Sequence, residues 1–100
     1  MPAFNVSVTH GIGRAAALSR LRKFLDDIRD TYAHELSDVR GDWDDNRLQF
    51  AFAARGLPVQ GTLIVEEDAV HVSGPLQLGT VLFRSRIEET IRQELVQLLG

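Results

Sequence analysis

Residues 47–73 read RLQFAFAARGLPVQGTLIVEEDAVHVS, and the fold turns on how this stretch is parsed. Leu48, Phe50 and Phe52 alternate with Gln49, Ala51 and Ala53. After a turn at Arg55-Gly56, Val59, Gly61, Leu63 and Val65 alternate with Gln60, Thr62 and Ile64. Glu66-Glu67-Asp68 then turns the chain into Val70 and Val72, which alternate with His71 and Ser73 until Gly74-Pro75 ends the run. Successive side chains of a strand point to opposite faces, so each run has one apolar face and one mostly polar or small face. That is the pattern of an antiparallel sheet covered on one side only. The connections are too short for parallel crossovers, which need a dozen residues or more.

The same reading extends outward. Upstream, Val39, Gly41 and Trp43 alternate with Asp38, Arg40 and Asp42, and Asp44-Asp45-Asn46 supplies a polar turn. A helix is predicted from about Arg14 to Tyr32, where Leu18, Leu21, Leu25, Ile28 and Tyr32 form one stripe at 3-4 spacing. Before it, Phe4, Val6 and Val8 alternate with Asn5, Ser7 and Thr9, and Gly11 and Gly13 break the chain. Downstream, a closing helix is predicted from about Thr80 to Leu99, with Phe83, Ile87, Ile91, Leu95 and Leu98 as its stripe, widened by Leu82 and Leu99. The expected fold is a single α+β domain over residues 1–100. It has a five-stranded antiparallel sheet with two helices on one face, in the order β-α-β-β-β-β-α.

Composition narrows the function classes. At 100 residues the chain suits one core and leaves little room for a deep cleft. It is 44% hydrophobic and 25% charged, which argues against disorder. A net charge of −3 opposes general nucleic-acid binding, which needs an excess of Lys and Arg near phosphates. The absence of cysteine excludes disulfides, thiolate metal sites and a Cys nucleophile. Residues 1–10 lack both a charged start and a long apolar stretch, so no signal peptide is expected. The apolar runs are too short to span a bilayer, and the expected location is cytoplasmic.

Several motifs invite chemistry, and each has a simpler reading. Gly11-Ile12-Gly13-Arg14-Ala15-Ala16 matches G-x-G-x-x-A between a strand and a helix, but the strands that follow form a meander without a second parallel strand. Turn glycines are the better reading. Asp42, Asp44 and Asn46 open a calcium-loop pattern, which fails at Arg47, where glycine is needed, and at Ala53, where a bidentate glutamate is needed. His10, His34 and His71 have no metal spacing with one another, so no metal or cofactor is expected. His71 and Ser73 share a strand face without a third group or an oxyanion hole. Pro75-Leu76-Gln77-Leu78-Gly79-Thr80-Val81-Leu82-Phe83 concentrates apolar residues in a loop and a first helical turn. It could serve as a partner-binding patch or as a lid folded onto the core.

The ending Gly74-Pro75-Leu76…Arg86-Ile87-Glu88-Glu89-Thr90-Ile91-Arg92-Gln93-Glu94-Leu95…Leu98-Leu99-Gly100 carries a resemblance that spans nearly the whole chain. Together with His10-Gly11-Ile12-Gly13 and the short strands around Gly61 and Val65, it resembles the small polyhydroxyalkanoic acid system proteins of the granule-region family. The segment Thr80-Val81-Leu82-Phe83-Arg84-Ser85 departs from the Pro-Phe pair expected there. The resemblance implies a cytoplasmic, granule-associated role in bacterial polyester storage and transfers no catalytic residue. The element order also resembles a reduced helix-grip fold, whose members often hold apolar ligands.

Two functions are expected on this basis. The first is a non-enzymatic accessory protein that meets a polyester granule, or a granule-associated protein, through Leu76, Leu78, Val81, Leu82 and Phe83. The second is a carrier holding an apolar or acyl ligand between Trp43, Phe50, Phe52 and Leu63 of the sheet and Phe83, Ile87 and Ile91 of the last helix. A small hydrolase or cyclase is the weakest reading. Short domains gain stability by pairing, so a homodimer is a further expectation, with no edge or helix singled out for it.

Overall fold

A computed structural model describes residues 2–31, 33–54, 57–76 and 78–100. The order is β1 (Ala3–Thr9), α1 (Arg14–Thr31), β2 (Leu36–Asp44), β3 (Arg47–Ala54), β4 (Leu57–Val65), β5 (Ala69–Pro75), a 3-10 helix (Leu78–Phe83) and α2 (Arg84–Leu99). The five strands form one sheet in the order β1-β5-β4-β3-β2, antiparallel throughout. The meander read from residues 39–73 is present, and β1 joins it beside β5. Tyr32 and the Arg55-Gly56 turn lie outside the described residues.

Register explains the core. Val6 pairs with Val72, Val72 with Leu63, Leu63 with Leu48, and Leu48 with Trp43, so one rung of apolar side chains crosses all five strands. Phe4, Val6, Val8, Leu48, Leu63, Val65, Val70 and Val72 are buried on this face, together with Ala17 and Leu21 of α1 and Leu95 and Leu99 of α2. Each fully buried aliphatic side chain contributes roughly 1.5–3 kcal/mol. Two strand glycines serve the neighbouring rung. Phe50 pairs with Gly61, where a Cβ would stand 2.6 Å from Phe50 Cζ and 2.7 Å from the Ser73 carbonyl oxygen. Phe4 pairs with Gly74, where a Cβ would stand 2.8 Å from Phe4 Cε1 and would run into the Gln60 carbonyl oxygen. Each ring therefore lies across bare backbone, a close approach that only glycine allows.

Two features differ from the sequence reading, the course of β2 and the start of the last helix. In β2, Ser37 pairs with Ala53 and Arg40 with Ala51, so a bulge interrupts the strict alternation at Asp38 and Val39. Asp38 takes φ 54°, a left-handed conformation that Asp tolerates better than most residues. β5 ends at Gly74 and Pro75 as read, and both stay in register with Phe4 and Ala3 of β1. The last helix begins as a 3-10 turn, and α2 proper starts only at Arg84. With three residues per turn instead of 3.6, the side chains before Arg84 rotate off the stripe of α2. Leu82 and Phe83 therefore leave the apolar face to which the α-helical periodicity assigned them; they are 91% and 54% exposed.

α2 packs chiefly on β1, and α1 contacts β4 and α2. β1 is an edge strand, so a row of its backbone groups points away from β5. Two side chains of α2 meet that row. The Asn5 N–H donates to Glu88 Oε2 at 2.8 Å, and Arg92 Nη1 donates to the Ser7 carbonyl at 3.3 Å. At the far end of α2, Arg20 of α1 donates to the Leu98 carbonyl at 3.1 Å, placing a cation where the helix carries partial negative charge.

Glu88→Ala should free the Asn5 amide. Hydrogen exchange at Asn5 is expected to accelerate several-fold, for a loss of about 1 kcal/mol, while Val72 in the sheet interior keeps its protection. Unchanged exchange at Asn5 would show that Glu88 does not guard the edge.

Candidate functional site

One end of the sheet gathers the apolar surface that the core does not use. The Leu76 N–H donates to the Pro2 carbonyl at 2.9 Å, which carries the β1–β5 pairing one step past the strands. Phe52 pairs with Val59 on the neighbouring strands. Pro2, Phe52, Val59, Pro75 and Leu76 share an open depression of about 790 Å³ at this end. The 3-10 helix follows β5 directly, so Val81, Leu82 and Phe83 leave the sheet from the same end.

Among the proposed partner-binding residues, Leu82 and Phe83 are exposed, and Leu76 and Val81 are half-buried. Leu76 also packs against the core. The structure describes Leu78 only as the first backbone position of the 3-10 helix. The last two apolar side chains of the stretch thus face solvent.

The residues of the carrier reading are more dispersed. Leu63 is buried in the core, and Trp43, Phe50, Ile87 and Ile91 pack against it, half-buried. The Arg22 guanidinium of α1 stands 5.2 Å from the centre of the Trp43 ring and covers part of it, a cation–π contact. Phe50 and Phe52 stack with ring centres 6.3 Å apart. Phe52 borders the 790 Å³ depression. A second open depression, of about 420 Å³, is lined by Arg40, Asp42, Gln49, Thr62 and Ser73. Neither depression is lined by Trp43, Leu63, Phe83, Ile87 or Ile91.

The polar motifs resolve into turns and pairs. Gly13 takes φ 84°, and its carbonyl accepts the first helical bond from the Ala17 N–H at 3.1 Å. The His10 N–H donates to the Asp68 carbonyl at 2.9 Å. Its ring Nε2 lies 3.2 Å from the Glu66 carbonyl, which can only accept, so that nitrogen carries the hydrogen. The glycine run therefore docks β1's exit against the β4–β5 turn. Asp45 and Asn46 form the β2–β3 turn, with Asp45 at φ 55°. Asn46 Nδ2 donates to the Val65 carbonyl at 2.7 Å, tying that turn to β4. His34 is exposed in the turn before β2.

One polar pair escaped the sequence reading. Ser7 faces His71 across the β1–β5 ladder, with Oγ 2.7 Å from Nδ1. The sequence places only Ser73, two residues on, on the same strand face as His71. Only the pairing of β1 with β5, a contact between residues 64 positions apart, reveals Ser7 as the partner. Among the described hydrogen bonds, none links His71 to a carboxylate.

The sequence profile of one family, described as "Putative polyhydroxyalkanoic acid system protein", matches residues 4–99. No curated protein and no solved structure gives a significant match.

Exposure separates the patch from the core in a way that chemical denaturation can test. Leu82→Asp and Phe83→Asp should each change stability by no more than about 0.5 kcal/mol, as surface substitutions do. Leu95→Asp, which buries a carboxylate in the core, should cost several kcal/mol or unfold the chain.

Proposed function

We propose that this chain, which belongs to the polyhydroxyalkanoic acid system protein family, is an accessory protein of polyhydroxyalkanoate storage that works by docking on a granule and not by catalysis. The observation that carries the reading is the exposure of Leu82 and Phe83, beside half-buried Leu76 and Val81. Large apolar side chains held in water gain roughly 1.5–3 kcal/mol each when a partner surface covers them. Neither Leu82 nor Phe83 belongs to the buried core or packs against it, so the patch is free to serve association. Isolated polyhydroxyalkanoate granules should pull the protein into the pellet. Leu82→Asp combined with Phe83→Asp should lower the bound fraction at least about tenfold, with circular dichroism unchanged. Equal co-sedimentation of the folded double variant would assign granule contact to another surface.

A carrier role is the second reading, supported by the half-buried aromatics Trp43, Phe50 and Phe52 on the apolar face. On that reading, a solvent extract of natively purified protein contains an acyl or other apolar molecule in near-stoichiometric amount, detectable by mass spectrometry. A clean extract from protein purified without detergent would remove the support.

A further inference from the structure

We propose that the docking patch is built for an anionic amphiphile layer, a surface of negatively charged lipid headgroups over apolar chains. This rests on the docking role of Leu82 and Phe83 given above and names the chemistry that they meet. The exposed apolar pair runs straight into Arg84 and Arg86, both exposed in the first turn of α2. Residues 69–87 contain no Asp or Glu, although the chain as a whole carries 14 acidic residues and a net charge of −3. The segment that presents the patch therefore adds only positive charge.

Helix stability does not account for these arginines. Cations are least favoured at the positive end of a helix. α2 has no acidic residue in its first turn and no side-chain hydrogen bond at its N-cap, Phe83. Their position is costly to the helix and suited to an external anion layer. Arginine stems also reach past inserted apolar side chains and keep the guanidinium at headgroup level. Patch size favours the same partner. Stable protein–protein interfaces bury roughly 1,200–2,000 Å², whereas Leu82 and Phe83 together offer only a few hundred Å², on the order of two side chains. Insertion into an interfacial layer does not need a large complementary face, because lipid closes around whatever protrudes.

Vesicle co-sedimentation tests the proposal. The protein should bind vesicles of phosphatidylcholine mixed with phosphatidylglycerol about 30-fold more tightly than phosphatidylcholine alone, as expected for two basic residues near an anionic surface. Arg84→Gln with Arg86→Gln should abolish that difference, as should high salt. Leu82→Asp should weaken binding to both vesicle types, with unchanged circular dichroism in every variant. Equal binding to neutral and anionic vesicles, or binding to neither, overturns the proposal. Binding to granules or bare polymer particles without vesicle binding overturns it while leaving the granule reading intact. Arginine-dependent vesicle binding without granule binding upholds it and removes the granule reading instead. A concentration-dependent dimer dispersed by Leu82→Asp, with no vesicle binding, assigns the patch to a second copy of the chain and overturns the proposal.

Discussion

The amide of Asn5 and the carbonyl of Ser7 point away from β5, at the outer edge of the sheet, where water or another chain would otherwise satisfy them. Glu88 and Arg92 meet them instead. The geometry suits a helix laid along a strand: four helical residues rise about 6 Å, and two strand residues advance about 6.8 Å. One turn of α2 therefore keeps pace with one side-chain repeat of β1. The two contacts agree with the direction and the axial position that α2 takes along β1. From that alignment follow the insertion of Leu95 and Leu99 into the core, the meeting of Arg20 with the end of α2, and the emergence of the 3-10 helix at the Pro2 end of the sheet. Among the described hydrogen bonds, none carries a helix side chain to the backbone of the opposite edge, β2. It carries a bulge and Asp38 in a left-handed conformation, which break the regular row that a foreign strand would need.

The interior solves a second problem, that of fitting two phenylalanine rings onto one rung. Phe4 and Phe50 lie across Gly74 and Gly61, whose missing side chains leave room for the rings against backbone. Aromatic bulk is thus supplied by one strand and space by the next. The same device explains why glycines persist inside strands, where they weaken intrinsic strand preference. Phe50 and Phe52 stack along β3, but Phe52 stands outside the cluster packed around the core. The apolar face is accordingly best covered over β1, β5 and β4 and opens toward the Phe52 end.

Local alternation made most of the fold legible. Period-two patterning in β1, β3, β4 and β5 survives because one face of each is buried, and a one-residue slip would turn every apolar side chain to water. The glycine and Asp-Asn turns were legible for the same local reason. What the sequence hid depends on distant partners or on small changes of helical pitch. The Ser7–His71 pair exists only through β1–β5 pairing, and the edge contacts of Glu88 and Arg92 only through the position of α2. Both residues read as ordinary members of a polar helix face. The shift from 3-10 to α-helix at Arg84 moves Leu82 and Phe83 from stripe to solvent, although their spacing to Ile87 and Ile91 fits an unbroken helix. The helix-grip likeness rests on element order alone, a property that does not fix where the last helix packs.

That pitch change is also what allows one segment to serve folding and association at once. Had α-helix continued through Leu82 and Phe83, their side chains would have joined the stripe that seats α2 on β1, and any surface seeking them would compete with the core. In the 3-10 turn they are released from that stripe, while Ile87, Ile91, Leu95 and Leu99 still anchor the helix behind them. The arginines that follow are tolerated because the helix is held by packing and by Glu88 and Arg92, not by favourable charge at its start. Stability and surface chemistry therefore sit on adjacent turns of one chain segment, and a substitution in the exposed turn can alter binding without loosening the sheet.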